Sequence, residues 1–225
     1  MPPQDNEIID FQLIHGDCLE GMRKLPPASI DTIIADPPYF CGFTHNGKKG
    51  SFADLSITKP FFEQVFAEFD RLLKPNGEVY VFCDFRTYPF FYPILIEFLT
   101  QRNLIVWDKI SGPGNHFSFT HEFIMFATKP SPEYNRNKKG QNIWRDKSFA
   151  SGAKKTNGKK QHPTQKPIEL IERILSVSTK KGDRVLDPFA GSFTTAVACQ
   201  RMNRNFIGFE QQEKYVAIGR ERLEQ

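Results

Sequence analysis

The order in which strand-length apolar runs alternate with amphipathic ones is the strongest constraint on what this chain can fold into. "FQLIHG", "IDTIIA", "EVYVFCD", "LIVWDKI", "EFIMFATK", "DRVLD" and "RNFIGFE" are short, apolar and bounded by turn residues. Between most of them lie segments with helical spacing. "LEGMRKL" is stopped by Pro26-Pro27, and "KPFFEQVFAEFDRLLKPNGE" puts Phe62, Val65, Phe66, Phe69 and Leu72 on one face. The latter has Pro60 near its start and Pro75-Asn76-Gly77 at its stop, and "PFFYPILIEFLTQR", "IELIERILSVS", "TTAVACQRM" and "EKYVAIGRERLEQ" complete the set. Strands alternating with crossover helices predict a doubly wound α/β domain, with a mostly parallel sheet covered on both faces.

At 225 residues the chain is expected to form one domain with one elaborated insertion. Its apolar runs are far below the roughly 20 residues that cross a bilayer, and "MPPQDNEIID" does not read as a secretory signal. Cys18, Cys41, Cys83 and Cys199 are scattered without a C-x-x-C pair, which predicts reduced thiols, a cytoplasmic location and no metal. The charge is uneven. Between Lys129 and Lys166 eleven basic residues face two acidic ones, Glu133 and Asp146, so a local +9 leaves −5 for the remainder. This segment also carries Tyr134, Trp144 and Phe149 without apolar periodicity. A basic, loop-rich stretch with scattered aromatics suits a phosphate backbone, although a solvated face would give the same charge run.

In such sheets ligands bind beyond the carboxyl ends of the strands. Asp17, Asp36, Asp187 and Glu210 each close or follow a strand, and Glu210 lies 19 residues beyond Gly191 in "DPFAGSFTT". An acidic residue about 20 positions after a glycine turn suits ribose hydroxyls. The absence of a full G-x-G-x-x-G favours an adenosine-bearing ligand without a pyrophosphate, while plain strand-ending and helix-capping carboxylates would look alike. "ADPPYF" is more specific. Pro37 and Pro38 remove two N–H donors, so an aspartate, a proline carbonyl and the Tyr39 ring converge within four residues. That set suits an exocyclic amino group on a flat ring, with Phe40 as a second stacking face.

Together "DPPY", "HPTQKP" and "DPFAGS-TT", in that order, resemble the DNA amino-methyltransferases that use S-adenosylmethionine, in the permuted arrangement of their beta class. The resemblance runs from about Gly16 to Leu223 and implies a Rossmann-like methyltransferase fold. It divides the chain into a catalytic half (1–128), a basic target-recognition insertion (129–160) and a cofactor-binding half (161–225). It assigns Asp36, Pro37, Pro38 and Tyr39 to catalysis. Cofactor binding falls to Asp17, Cys18, Asp36, Asp187, Phe189, Ala190, Gly191, Ser192, Thr194 and Glu210. Thr164, Gln165 and Lys166 match the segment that meets the methionine carboxylate. DNA contact is expected from Lys48, Lys49, Arg136, Lys138, Lys139, Arg145, Lys147, Lys154 and Lys155, with Cys41–Ser56, including His45, as a lid or DNA-contacting arm. The aspartate form of the motif implies methylation of adenine N6 in a flipped base of a short recognition sequence. Cytosine-N4 methylation, RNA methylation and a catalytically silent DNA-binding relative are the alternatives. No Pro-Cys pair supports cytosine-C5 chemistry. Implied partners are double-stranded DNA, a second copy of the chain and a cognate restriction endonuclease. Phe193 departs from the family's usual glycine, and its ring is expected to turn aside onto a neighbouring strand or over the cofactor. His116 and His121 are expected to be structural.

Overall fold

The strands and helices follow the alternation of the sequence closely. In a computed structural model that describes residues 9–38, 55–112, 114–130, 140–145 and 166–224, the order begins β1 (Phe11–His15), α1 (Cys18–Lys24), β2 (Ile30–Ala35) and α2 (Leu55–Leu72). It continues β3 (Leu73–Cys83), α3 (Tyr88–Leu95), β4 (Thr100–Asp108), β5 (His121–Thr128) and β6 (Ile143–Arg145). It closes with α4 (Ile168–Ser178), β7 (Arg184–Asp187), α5 (Thr194–Arg201), β8 (Asn205–Glu210) and α6 (Glu213–Leu223). No helix among the described residues is long and apolar enough to cross a membrane.

The strands form one sheet in the order β1-β8-β7-β2-β3-β5-β4-β6. Five neighbouring pairs are parallel, and only β5 runs against its neighbours β3 and β4. Successive side chains point to opposite faces of a strand, and the core divides accordingly. Ile33, Val79 and Val81 pack with α1, α2 and α3, whereas Ile34, Tyr80 and Phe82 pack with α4, α5 and α6. On α2 the residues at helical spacing, Phe62, Val65, Phe66 and Phe69, are fully buried against the first of these faces. Both faces of the sheet are therefore dry, and the C-terminal ends of its parallel strands are left to carry chemistry.

Four details depart from the sequence reading. Helix α2 starts about one turn before Lys59, so Pro60 lies inside it. Strand β3 begins directly after α2, and Pro75-Asn76-Gly77 falls where Leu73 pairs with Ile30 but Glu78 already pairs with Thr32, a bulge rather than a helix stop. Helix α3 ends at Leu95, soon after its internal Pro93, which lacks an N–H to continue the ladder. Finally, the basic segment is not all loop. Ile143–Arg145 adds β6 parallel to β4, with Trp144 only 5% exposed between outward-facing Ile143 and Arg145. The Trp144 indole N–H donates to the Gln141 carbonyl at 2.9 Å, and the Arg173 guanidinium lies 4.9 Å from its ring centroid.

Candidate active site

Four acidic residues gather at one edge of the sheet because β1, β8, β7 and β2 are consecutive and parallel. His15 pairs with Glu210, Asp187 with Gly208, and Ile33 with Leu186, which brings Asp17, Glu210, Asp187 and Asp36 to successive strand ends. At about 4.8 Å between strands, the row spans on the order of 15 Å, the length of an adenosine carrying a short chain. Asp187 is buried; its carboxylate accepts from the Phe189 amide at 3.0 Å and the Thr195 hydroxyl at 2.6 Å. Burial pushes its pKa up to about 7, and the charges of Asp36 and Glu210 add to the rise. Glu210 is also raised above the usual carboxylate range by burial, although it accepts from the amides of Gly191 at 3.0 Å and Gln212 at 2.7 Å.

The turn between β7 and α5 fits an adenosine-bearing cofactor on two counts. Gly191 has φ 51°, and nothing lies within 4 Å of where its Cβ would stand; Gly16, between β1 and Asp17, is equally open. A Cβ on Gly208 or Gly219 would instead run into phenylalanine rings. The open glycines thus lie at the strand-end edge, where a ligand would approach the backbone. Asp17 caps α1, accepting from the amides of Leu19 at 2.9 Å and Glu20 at 3.1 Å, and the Gln211 side chain ties it to the end of β8 at 3.3 Å.

Other residues assigned to the cofactor serve the turn from behind. The Ser192 and Thr194 hydroxyls accept from buried Arg222 of α6 at 3.2 Å each, and Arg222 also donates to the Ser192 carbonyl. Burial lowers the Arg222 pKa to about 10. The Cys18 thiol lies in the core, where burial and the neighbouring Asp17 raise its pKa to about 12. Ala190 is buried and its amide donates to the Phe209 carbonyl at 3.0 Å. Phe189 is half-buried beside Phe62.

Phe193 does not obstruct the turn. It caps α5 in the left-handed region (φ 59°, ψ 39°), a conformation that glycine adopts without strain, and its ring is fully buried. There it meets Phe206 edge-on at 6.1 Å and fills the space left by Gly208 of β8 and Gly219 of α6. The glycine missing from the turn is matched by two glycines beneath it.

At the end of β2, Asp36 is ion-paired to Lys166 at 2.9 Å, and Lys166 also reaches Glu122 of β5 at 3.3 Å. Glu122 in turn holds Lys109 at 3.1 Å. The ammonium of Lys166 lies 5.2 Å from the Phe82 ring centroid and 6.0 Å from that of Trp107. Its side chain is only 10% exposed. Burial lowers its proton affinity, but Asp36 and Glu122 more than offset this and lift it above the ordinary lysine value. Lys166 is therefore engaged with Asp36 and Glu122 at the end of β2. Sequence patterning does not single out Lys109 or Glu122; the one signal for Glu122 is its charge at the start of the otherwise apolar run "HEFIMFAT".

Tyr39, Lys48, Lys49, Arg136, Lys138, Lys139, Lys147, Lys154, Lys155, Thr164 and Gln165 lie outside the described residues, as do Phe40, Cys41, His45 and most of the Cys41–Ser56 arm, whose last two residues open α2. Of the expected DNA contacts, Arg145 is described: it is exposed and its guanidinium pairs with Asp108 at 2.9 Å. Lys129 donates to the Asp70 carbonyl at 3.0 Å near the end of α2. His116 is exposed, and the His121 ring lies 5.2 Å from that of Phe123.

Residues 30–221 match the DNA methylase family of N6 and N4 amino-methyltransferases, so the chain belongs to that family. Among relatives, it is 35% identical to the type II methyltransferase M2.DpnII of Streptococcus pneumoniae over 94% of this chain and 89% of that protein. It is 31% identical to the DNA adenine methyltransferase YhdJ of Escherichia coli over 94% and 82% of the two chains. The structure of M1.HpyAVI in complex with SAM superposes with a TM-score of 0.72 at 28% identity, covering 96% of this chain and all of that one. The cytosine-N4-specific PvuII methyltransferase shares the fold at a TM-score of 0.76 and 19% identity, over 95% of this chain and 86% of that one. The fold is thus shared with a cytosine-N4-specific enzyme.

Proposed function

We propose that this chain transfers a methyl group from S-adenosylmethionine to the N6 amino group of an adenine in a short DNA sequence. The observation that carries this reading is the placement of Asp36 beside the β7 turn, on adjacent strand ends. In this reading the amine acceptor and the cofactor cradle share one edge of the sheet. The family membership supports the chemistry, and the aspartate of "DPPY", with the adenine specificity in the name of the Escherichia coli relative, supports the base.

S-adenosylmethionine, when bound, supplies a methyl group on a positively charged sulfur. Glu210 and Asp17 are assigned its ribose and adenine end, and Asp187, Phe189, Ala190 and Gly191 the amino-acid end. Ser192 and Thr194 shape the turn through Arg222. Thr164 and Gln165 are assigned to the methionine carboxylate by the motif match alone.

An aromatic amine is a weak nucleophile because its lone pair is delocalised into the ring. As the partner of Lys166, Asp36 is a carboxylate and only accepts hydrogen bonds. Together with the Pro37 carbonyl it would take the two amine hydrogens and favour a pyramidal nitrogen whose lone pair points at the methyl group. Positioning and electrostatics then supply the catalysis. The base must leave the duplex to reach this edge, and Tyr39 is assigned the stacking face.

The basic stretch from Lys129 to Lys166, with Lys48 and Lys49, is assigned to the DNA backbone. The type II name of the Streptococcus relative supports a bacterial restriction-modification setting, with a cognate endonuclease and a cytoplasmic site of action. A homodimer is the assembly to look for by sedimentation. The reading is tested by incubating purified protein, DNA and S-adenosylmethionine, digesting the DNA to nucleosides and identifying the product by mass spectrometry. N6-methyladenine is expected; N4-methylcytosine as the sole product would sink the adenine assignment.

A further inference from the structure

Strands β4 and β5 do not end their pairing at the sheet edge. Beyond the last pair, Asp108 with His121, the Lys109 amide donates to the Thr120 carbonyl at 2.7 Å, so the described limbs, residues 109–112 and 114–120, continue outward as the two sides of a hairpin. The limbs run close together: a Cβ on Gly112 would collide with the Phe119 carbonyl, and one on Gly114 with the Phe117 carbonyl. At its root Ile110 holds φ 68°, a left-handed conformation that is a strained outlier for a β-branched residue.

Its apolar side chains face water. Phe117 is 88% exposed, the most open large hydrophobic side chain among the described residues, and Phe119 is 42% exposed. Phe119 stacks on Phe85, which follows β3, with centroids 5.9 Å apart and planes 10° from parallel. The Arg86 guanidinium covers both rings, at 5.0 Å and 5.4 Å from their centroids. From Lys109 to Thr120 there is no acidic residue.

The location gives this aromatic platform its meaning. Because β3 runs parallel to β2 and β5 runs antiparallel, the hairpin projects from the same edge as Asp36. Its root is tied to that residue through Lys109, Glu122 and Lys166, each step an ion pair of 3.3 Å or less. Exposed aromatics with a guanidinium are the chemistry that nucleobases stack on, and apolar wedges inserted between base steps unstack and kink a duplex; the nearby Asp84 carboxylate is taken up by the Arg86 and Thr87 amides and the Thr87 hydroxyl.

We propose that the Lys109–Thr120 hairpin is a duplex-opening finger, with Phe117 stacking in the space vacated by the target base and the Phe85–Phe119–Arg86 platform holding the flanking base. This inference rests on the DNA methyl-transfer reading above. The test measures methyl transfer by wild-type, F117A, F117S and F117W proteins to plasmid duplex and to the same DNA heat-denatured. Stacking worth about 1–3 kcal/mol per base corresponds to a loss of about 5- to 150-fold for F117A on duplex. On denatured strands, where no opening is needed, the loss should be at most about twofold.

F117W should restore duplex activity and F117S should not, which separates stacking from bulk even if denatured strands prove poor substrates. Phe117 is exposed, so these variants should fold. Equal activity of F117A and wild type on duplex, or equal losses on both substrates, overturns the finger while leaving the methyl-transfer reading intact. The finger is also overturned if F117A disperses an oligomer and leaves duplex methylation unchanged, since the occupant is then a second copy of the chain. No transfer by the wild-type protein to either DNA overturns both.

Discussion

The burial of Phe193 beneath the cofactor turn makes a quantitative prediction about stability. Its ring is fully buried against Phe206, and a Cβ on Gly219 would stand inside its van der Waals envelope. Truncation in Phe193→Ala removes a core aromatic and keeps the left-handed backbone, so it should cost about 3–5 kcal/mol. At about 2–4 °C per kcal/mol for a domain of this size, the melting temperature falls by roughly 6–20 °C. Phe193→Gly leaves the same cavity but relieves the strain of about 1–2 kcal/mol, so it should be the milder of the two. Gly219→Ala in the wild type forces a methyl into the ring and should cost about 1–3 kcal/mol. In the Phe193→Ala background that methyl has room, and alanine is better than glycine in a helix by about 1 kcal/mol, so the same change becomes stabilising. The cycle therefore predicts a coupling energy of about 2–4 kcal/mol, read from urea denaturation midpoints at constant m-value. A coupling near zero would refute the packing account. Phe193→Gly raising S-adenosylmethionine affinity by orders of magnitude would show instead that the ring blocks the cofactor.

Two further predictions concern the charged groups. Asp187 carries a folded-state pKa raised to about 7 from an ordinary value of 3.8, so the native state binds its proton more tightly than the unfolded chain. Its contribution is fully present below about pH 4 and lost as pH rises through about 7, a loss of up to a few kcal/mol. The difference in urea midpoint between pH 5 and pH 8 should therefore shrink in Asp187→Asn relative to wild type; an unchanged difference would place the titration elsewhere. Glu122 is expected to act on Asp36 through Lys166, as a positioning residue. Loss of a charge-assisted hydrogen bond in Glu122→Gln should lower kcat by about 10- to 100-fold with the KM for S-adenosylmethionine unchanged, and Glu122→Asp should recover part of it. A rise in KM alone would contradict this role.

The strands and the candidate motifs are legible in the sequence because both are local. Period-2 and period-3.6 apolar patterns declare themselves within a few residues, and "DPPY" and "DPFAGS" hold their chemistry in contiguous stretches. What was not legible depends on which strands become neighbours. Glu122 and Lys109 enter the site only because β5 folds back antiparallel beside both β3 and β4. The place of Lys166 in "HPTQKP" gives no sign that its ammonium pairs with Asp36 and Glu122, which lie far from it in the chain. Strand β6 is hidden because three residues cannot establish a period, and its one inward residue, Trp144, sits in a basic stretch whose composition suits a phosphate backbone. Arg222 gave no signal because it serves Ser192 and Thr194 from the far end of the chain. The oddity of Phe193, visible at once in the sequence, was explained only by Gly208 and Gly219, which are remote from it in the chain and adjacent in space.

The central claim is tested most directly on DNA from cells expressing the wild-type protein or its Asp36→Ala variant, with modified bases located by sequencing and identified as nucleosides by mass spectrometry. The account predicts N6-methyladenine at a single short sequence in DNA from the wild-type strain and none above background in the variant. Methylation that persists at the same sites in Asp36→Ala, or modification confined to cytosine, would contradict it.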